Sequence, residues 1–169
     1  MAKKKTSKKS SVKALLDLVV LVLAGAVFGF LALPFVESKG TVLGVTTVAH
    51  TSGYGLMDFD TNAGVATCIL LTIIFASLLA VVALCKLLGD AGIIKNSTCA
   101  KVCSFACVVM ALAVLVMAIV VMIVVPTNCK SYSMGGFASA GNYAVWYALI
   151  INAVVSLAGF VASVFSIRK

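Results

Sequence analysis

Residues 102–125 read VCSFACVVMALAVLVMAIVVMIVV, a run without a single charged side chain. About 20 apolar residues, each rising 1.5 Å along a helix, cross a hydrocarbon core of about 30 Å, so this stretch predicts a transmembrane helix. Three further runs share its character, Ala14 to Val36, Val65 to Leu88 and Tyr143 to Ile167, interrupted only by Asp17 in the first and Lys86 in the second. The chain of 169 residues is 63% hydrophobic and 11% charged, with a mean hydropathy of +1.20. A soluble fold does not cover that much apolar surface. The expected fold class is an all-α membrane protein, a four-transmembrane-helix up-down-up-down bundle with a small β-hairpin in the first outer loop. Residues 1–13 read as a basic cytoplasmic tail and residues 14–169 as a single transmembrane domain, which leaves no room for a soluble catalytic domain.

The positive charges set the expected orientation. Lys3, Lys4, Lys5, Lys8, Lys9 and Lys13 precede the first run, and Lys86, Lys95, Lys101, Arg168 and Lys169 fall on the same side, against only Lys39 and Lys130 on the other. By the positive-inside rule, a multi-pass protein of the cell membrane with cytoplasmic N- and C-termini follows. The formal net charge of +8 is then a topology and lipid signal. The six tail lysines are placed to meet anionic lipid headgroups, at about 1 kcal/mol per charge. No aromatic interleaving or folded basic module accompanies them, so nucleic acid is not an expected partner. The first run is longer than the apolar core of a signal peptide and lacks a small-x-small cleavage site, so it reads as a retained helix.

Between the runs the punctuation is local. Pro34 falls near the end of the first span and Pro126 stops the third, while Asp60, Thr61 and Asn62 offer N-cap oxygens ahead of the second. Phe35, Tyr143, Trp146 and Tyr147 fit an aromatic belt at the outer interface. The first outer loop, Thr41 to Phe59, predicts a β-hairpin with its turn signal at Thr51, Ser52 and Gly53. The second, Thr127 to Asn142, is rich in Gly, Ser and Ala, including Gly135, Gly136 and Gly141, and reads as mobile or ordered by a partner; its Met134 and Phe137 suggest a contact surface.

The residues expected to carry assembly are small or polar at membrane depth. Asn152, Ser156, Gly159 and Ser163 share one face of the fourth span, Gly25 and Gly29 form a small-xxx-small pair in the first, and Ala76 and Ala80 form another in the second, with Thr72 and Ser77 nearby. Such residues let helices approach closely and hydrogen-bond; alternatively the Asn152 face lines a polar path. Asp17 is expected in the first helical turn, reaching Lys13 at i−4. Cys99, Cys103 and Cys107 recur every fourth residue, but no histidine or carboxylate joins them, so they read as small packing residues, with lipid attachment at Cys99 a lesser alternative. Asp58, Asp60 and Asn62 imitate the start of a calcium loop, which fails at Ala63 and Ile69, where a glycine and a bidentate carboxylate are required. No catalytic set, metal site or cofactor motif is present, and no enzyme is expected.

Four spans, cytoplasmic ends, a larger β-like first outer loop and a shorter second one together resemble, in outline, the tetraspan arrangement of claudin-like and MARVEL-like membrane proteins. The segment Glu37 to Gly64 carries neither the tryptophan nor the cysteine pair of the claudin first loop. The expected function is that of a non-enzymatic integral membrane scaffold, associating with itself or with a larger membrane complex through the outer loops and the small-residue faces. The alternatives are a channel or small transporter with a pore formed between copies, or an accessory subunit of a larger complex.

Overall fold

Pro34 decides where the first helix ends. Proline disfavours helical geometry in the residue before it and has no N–H to donate. In the computed structural model, which describes residues 2–90, 93, 97–129, 131–134 and 138–168, helix α1 (Ala2–Leu31) accordingly closes with tightened turns, Ala32 N donating to Gly29 O and Leu33 N to Phe30 O. The chain then enters strand β1 (Pro34–Val42). The first helix therefore stops short of the expected Val36, and Pro34 begins a strand. The side chains of Lys3, Lys4, Lys5, Lys8, Lys9, Thr61, Cys99, Met134 and Arg168, and the whole of Lys95, Lys130, Gly135, Gly136, Phe137 and Lys169, lie outside what is described.

β1 turns back through Leu43 and Gly44 into β2 (Val45–Ser52). Both turn residues have positive φ, 50° and 83°, the combination that two-residue hairpins of right-handed twist require. The first outer loop does hold a hairpin, but it spans Pro34–Ser52 and not Thr41 to Phe59, and its turn is at Leu43-Gly44; Thr51 and Ser52 close β2 instead. A single 3-10 turn (Tyr54–Leu56) follows. Helix α2 (Phe59–Asp90) breaks at Asn62 (φ −139°, ψ 49°), so its long apolar part begins after that residue. Asp58 Oδ1 accepts from Asp60 N at 3.1 Å and caps the leading turn.

Helix α3 (Ser97–Thr127) carries Pro126 in its last turn and continues one residue past it. Thr127 Oγ1 and Asn128 Nδ2 both donate to Val124 O at 2.8 Å, closing its end. The second outer loop contains β3 (Ser131–Met134) and β4 (Ala138–Ala144), where the composition had suggested a segment without structure of its own. These strands pair with each other, and β4 pairs antiparallel with β1 from Val36↔Ala144 to Val42↔Ala138, giving one four-stranded sheet in the order β2-β1-β4-β3. Tyr143 therefore belongs to a strand, and helix α4 (Trp146–Arg168) starts later than expected. Val145 N donates to Phe35 O at 2.8 Å at this junction. Phe35 is fully buried, so it is not part of an aromatic belt, whereas Tyr143, Trp146 and Tyr147 are exposed.

α1 to α4 each contain a stretch long and apolar enough to cross a membrane: Val12–Leu31, Asn62–Asp90, Lys101–Thr127 and Trp146–Ile167. Only 28% of each of the first three hydrophobic windows and 39% of the fourth are buried within the chain, so most of their apolar surface needs a nonpolar solvent. Four such helices are the signature of a multi-pass membrane protein. The chain divides into two compact units. Unit 1 holds residues 1–28, 73–116 and 154–169, and unit 2 holds 29–72 and 117–153. The core of unit 1 draws on all four helices, with Val20, Ala24, Val27, Ala76, Leu79, Ala83, Cys107, Ala111, Val114 and Ala162. Unit 2 carries the sheet and buries Phe35, Ile69, Val121, Val125 and Leu149.

Gly53 is fixed by close approach in unit 2. Its N–H reaches Leu33 O at 3.3 Å, and a Cβ built there would lie 2.8 Å from Leu31 O and 3.2 Å from Phe35 Cε2. Gly53→Ala is expected to cost about 1–3 kcal/mol, the penalty of overpacking against backbone. Denaturant unfolding of the purified protein in micelles measures it, and unchanged stability would contradict the contact.

Candidate functional site

Each helix buries one narrow stripe at alternating spacings of three and four. It reads Asp17, Val20, Ala24, Val27, Leu31 on α1 and Ile69, Thr72, Ala76, Leu79, Ala83, Lys86 on α2. On α3 it reads Cys107, Ala111, Val114, Ala118, Val121, Val125, and on α4 Leu149, Asn152, Ser156, Gly159, Ser163, Ser166. That is the spacing of a coiled-coil seam, where facing helices interlock. Small residues recur along it, among them Ala24, Ala76, Ala83, Ala111 and Gly159, and allow close approach. Asp17 and Lys86 are the exceptions, since both occupy seam positions as full charges.

In unit 1 these two charges meet. Lys86 Nζ lies 2.8 Å from Asp17 Oδ1, with both side chains 1% exposed. Lys86 also donates to Ser166 Oγ at 2.6 Å, and the Ser166 hydroxyl donates to Asp17 Oδ1, closing a triangle that ties α1, α2 and α4 together. Asp90 lies against the same Asp17 carboxyl and takes its own partner from Lys13 Nζ at 3.1 Å. Two carboxyl groups thus meet two ammonium groups in one cluster. Cys107 brings α3 to the same place, its thiol within the fields of Lys86 and Asp17. Asp17 lies four residues past Lys13, within the apolar run that starts at Ala14, roughly 6 Å along the helix from Lys13. A charge at that depth is costly unless paired, so ionisable residues there are rare and meet one another.

Lys13 therefore serves Asp90 and not, as its i−4 spacing suggested, Asp17. The longer-range pair prevails because Lys86 on the seam of a second helix reaches Asp17 from inside the core, while Lys13 lies at the rim, 30% exposed. The sequence did carry the signal: Asp17 stands three residues before Val20, and Lys86 three after Ala83, so each continues its helix's buried stripe.

The expected packing residues divide. Ala76, Asn152, Ser156, Gly159 and Ser163 are buried, and Ala80 packs partly buried against the unit 1 core. A Cβ on Gly159 would come within 3.7 Å of Leu23 Cβ. Gly25 and Gly29 are exposed, with nothing within 4 Å of an added Cβ, because the α1 seam runs through Ala24, Val27 and Leu31 instead. The hydroxyls of Thr67, Thr72, Ser77 and Ser163 donate to their own helix carbonyls at 2.7–2.8 Å, which satisfies them without a partner helix. Cys107 is buried in the core, in keeping with a packing role, and Cys68, Cys85, Cys103 and Cys129 form no disulfide. Among the described residues no group of three or more His, Cys, Asp or Glu is arranged to hold a metal ion.

Unit 2 presents a surface of different kind. At the β1-β2 turn Leu43 is 80% exposed and Val45 69%, with Val42 and Val48 exposed beside them. Leu43 holds a left-handed backbone conformation, which an unbranched-at-Cβ but bulky apolar residue adopts rarely and at a cost of about 1–3 kcal/mol. β2 is an edge strand, exposed along Val45 to His50. Nearby, Lys39 pairs with Glu37 at 2.9 Å and sits 5.8 Å from the Tyr143 ring centroid, while Ser38 donates to Asn142 at 2.8 Å, stitching β1 to β4.

Comparison of the chain with protein-family models, with curated proteins and with solved structures finds no match. The four apolar helices fit a tetraspan topology, and the site is read from its own geometry.

Two expectations follow. Ser166→Ala leaves Asp17 and Lys86 each one hydrogen-bond partner short in a buried setting, and should lower unfolding stability in micelles by about 1–3 kcal/mol; no loss would mean the hydroxyl is not part of the lock. Burial pushes the Cys129 thiol up from its ordinary value, and the thiolate is the reactive form. In a variant retaining Cys129 alone, maleimide labelling should be slow near neutral pH and keep rising in the alkaline range where an ordinary thiol, with pKa about 8.5, has levelled off. A profile that levels off at the ordinary value would contradict that burial.

Proposed function

We propose that this chain is a non-enzymatic, multi-pass scaffold of the cell membrane that self-associates through its outer sheet, with both termini cytoplasmic. The observation that carries the reading is the hairpin tip, where a bulky leucine at positive φ is spent on a fully presented position. Asn-Gly is the usual solution for such a turn. Sites that break a local rule without a gain in folding are expected to be functional. Behind the tip, β2 offers an unpaired backbone edge with none of the lysines or prolines that ordinarily guard one. A second copy of the chain adds naturally to such an edge, main chain to main chain, with the apolar tip supplying further contact.

The helix faces support the same reading. The polar stripe Asn152, Ser156, Gly159 and Ser163 is buried within the chain, which favours a packing role over the lining of a pore between copies. Gly25 and Gly29 look outward and remain open to a neighbouring helix. Lys13 precedes the first apolar run, Lys86 lies near the end of the second and Lys101 precedes the third, which supports a cytoplasmic location for that side. The resemblance to claudin-like and MARVEL-like proteins adds tetraspan outline to this picture, without bringing a junctional role.

Leu43→Asn separates folding from association. The substitution installs the preferred turn residue and deletes the apolar tip, so melting temperature should hold or rise. Self-association, read as the mass distribution in nanodiscs by native mass spectrometry, should weaken about tenfold or more, that is by about 1.4 kcal/mol or more. A wild-type chain that is monomeric under these conditions, or a variant that assembles as well as wild type, overturns the proposal.

A further inference from the structure

Within unit 1, α1, α3 and α4 bound a groove of about 390 Å³ lined by Lys13, Lys101, Ser104, Phe105 and Ile167. That volume lies within the range of small-molecule sites. Its lining has two chemistries. Lys13 and Lys101 supply cationic heads; Lys101 is exposed and makes no ion pair among the described residues, and Lys13 is shared with Asp90. Phe105, 71% exposed, and Ile167 supply an apolar wall. Lys101, Ser104 and Phe105 are spaced i, i+3, i+4 and so present one face of α3. The groove also sits where the charged and apolar parts of the sequence meet. Lys13 directly precedes the apolar run that starts at Ala14, Lys101 directly precedes the uncharged run Val102 to Val125, and Ile167 directly precedes Arg168 and Lys169.

We infer that this groove binds one anionic phospholipid, its phosphate between Lys13 and Lys101 and the upper part of an acyl chain along Phe105 and Ile167. The charge selects an anionic headgroup, and the apolar wall beneath it selects a lipid over a free anion. The site is distinct from diffuse attraction to the lysine tail, because it is shaped and draws on three helices. It rests on the reading of the chain as membrane-spanning. Lys13 links it to the buried cluster: a phosphate in the groove competes with Asp90 for that ammonium group.

The test is native mass spectrometry of the full-length protein released from detergent, titrated with phosphatidylglycerol or with phosphatidylcholine of the same acyl chains. One phosphatidylglycerol per chain should be retained in preference to phosphatidylcholine. Lys101→Gln and Phe105→Ala should each weaken that first binding event by about tenfold or more, while replacing Lys3, Lys4, Lys5, Lys8 and Lys9 together by glutamine should leave it in place. Both single substitutions are at exposed positions, and an unchanged melting temperature without added lipid confirms that each variant is folded. Equal retention of the two lipids, or a first binding event indifferent to Lys101→Gln, overturns the inference. The oligomer masses in the same spectra report association through the hairpin, so loss of lipid selectivity and loss of assembly register separately.

Discussion

The ion pair between Asp17 and Lys86 is the constraint on which the rest of unit 1 depends. Neither charge is tolerable alone on a buried seam, because desolvating a single carboxylate or ammonium costs several kcal/mol. Together, with the Ser166 hydroxyl bonded to both, they are accommodated at 1% exposure. The pair holds side chains from α1 and α2, Ser166 adds α4, and Cys107 of α3 packs at the same level. The remaining seam positions of unit 1 are apolar or small, with Val20, Val27, Leu79 and Val114 among alanines and serines, and such packing is not strongly directional. A charge pair is. It allows one rotational and axial setting of the contributing helices, the use of buried polar groups best attested in helical assemblies.

Unit 2 solves a different problem. The two outer segments are short, and neither builds a sheet with a buried face by itself. Pairing β1 with β4 makes one four-stranded sheet out of two hairpins, and Phe35 anchors it by filling the space beneath with a fully buried ring. The sheet leaves β2 as an open edge and projects Leu43 at its turn. A scaffold needs such a surface: a stable platform with an unsatisfied, apolar rim. The cost of Leu43 in a left-handed conformation is borne by a local turn, where the surrounding hairpin register holds it in place.

The four helices were legible because length and hydropathy act locally and sum over some twenty residues. Their ends were less so. Residues such as Phe35, Val36 and Tyr143 are apolar enough to extend a helix, but Pro34 and the β1-β4 pairing claim them for the sheet. The second outer loop reads as mobile or ordered by a partner because Gly, Ser and Ala carry little strand preference, and β4 owes its conformation to a strand more than a hundred residues away in the same chain, as in the pair Ser38 and Asn142. The buried face of α4 was read from Asn152, Ser156, Gly159 and Ser163. Gly25 and Gly29 face away from the α1 seam, since a small-xxx-small motif reports what allows close approach and not where a partner stands. The partner of Asp17 was missed for the same reason: spacing along one helix pointed to Lys13, and only the seam shared with α2 identifies Lys86.

A double-mutant cycle on Asp17→Leu and Lys86→Leu, read by reversible denaturant unfolding of the full-length protein in micelles, tests this account most directly. Each single substitution strands one buried charge and should cost about 3–5 kcal/mol, whereas the double substitution removes both charges together and should cost less than either single. Losses that simply add would show that the two side chains act independently, and would contradict an ion pair as the lock of the helical unit.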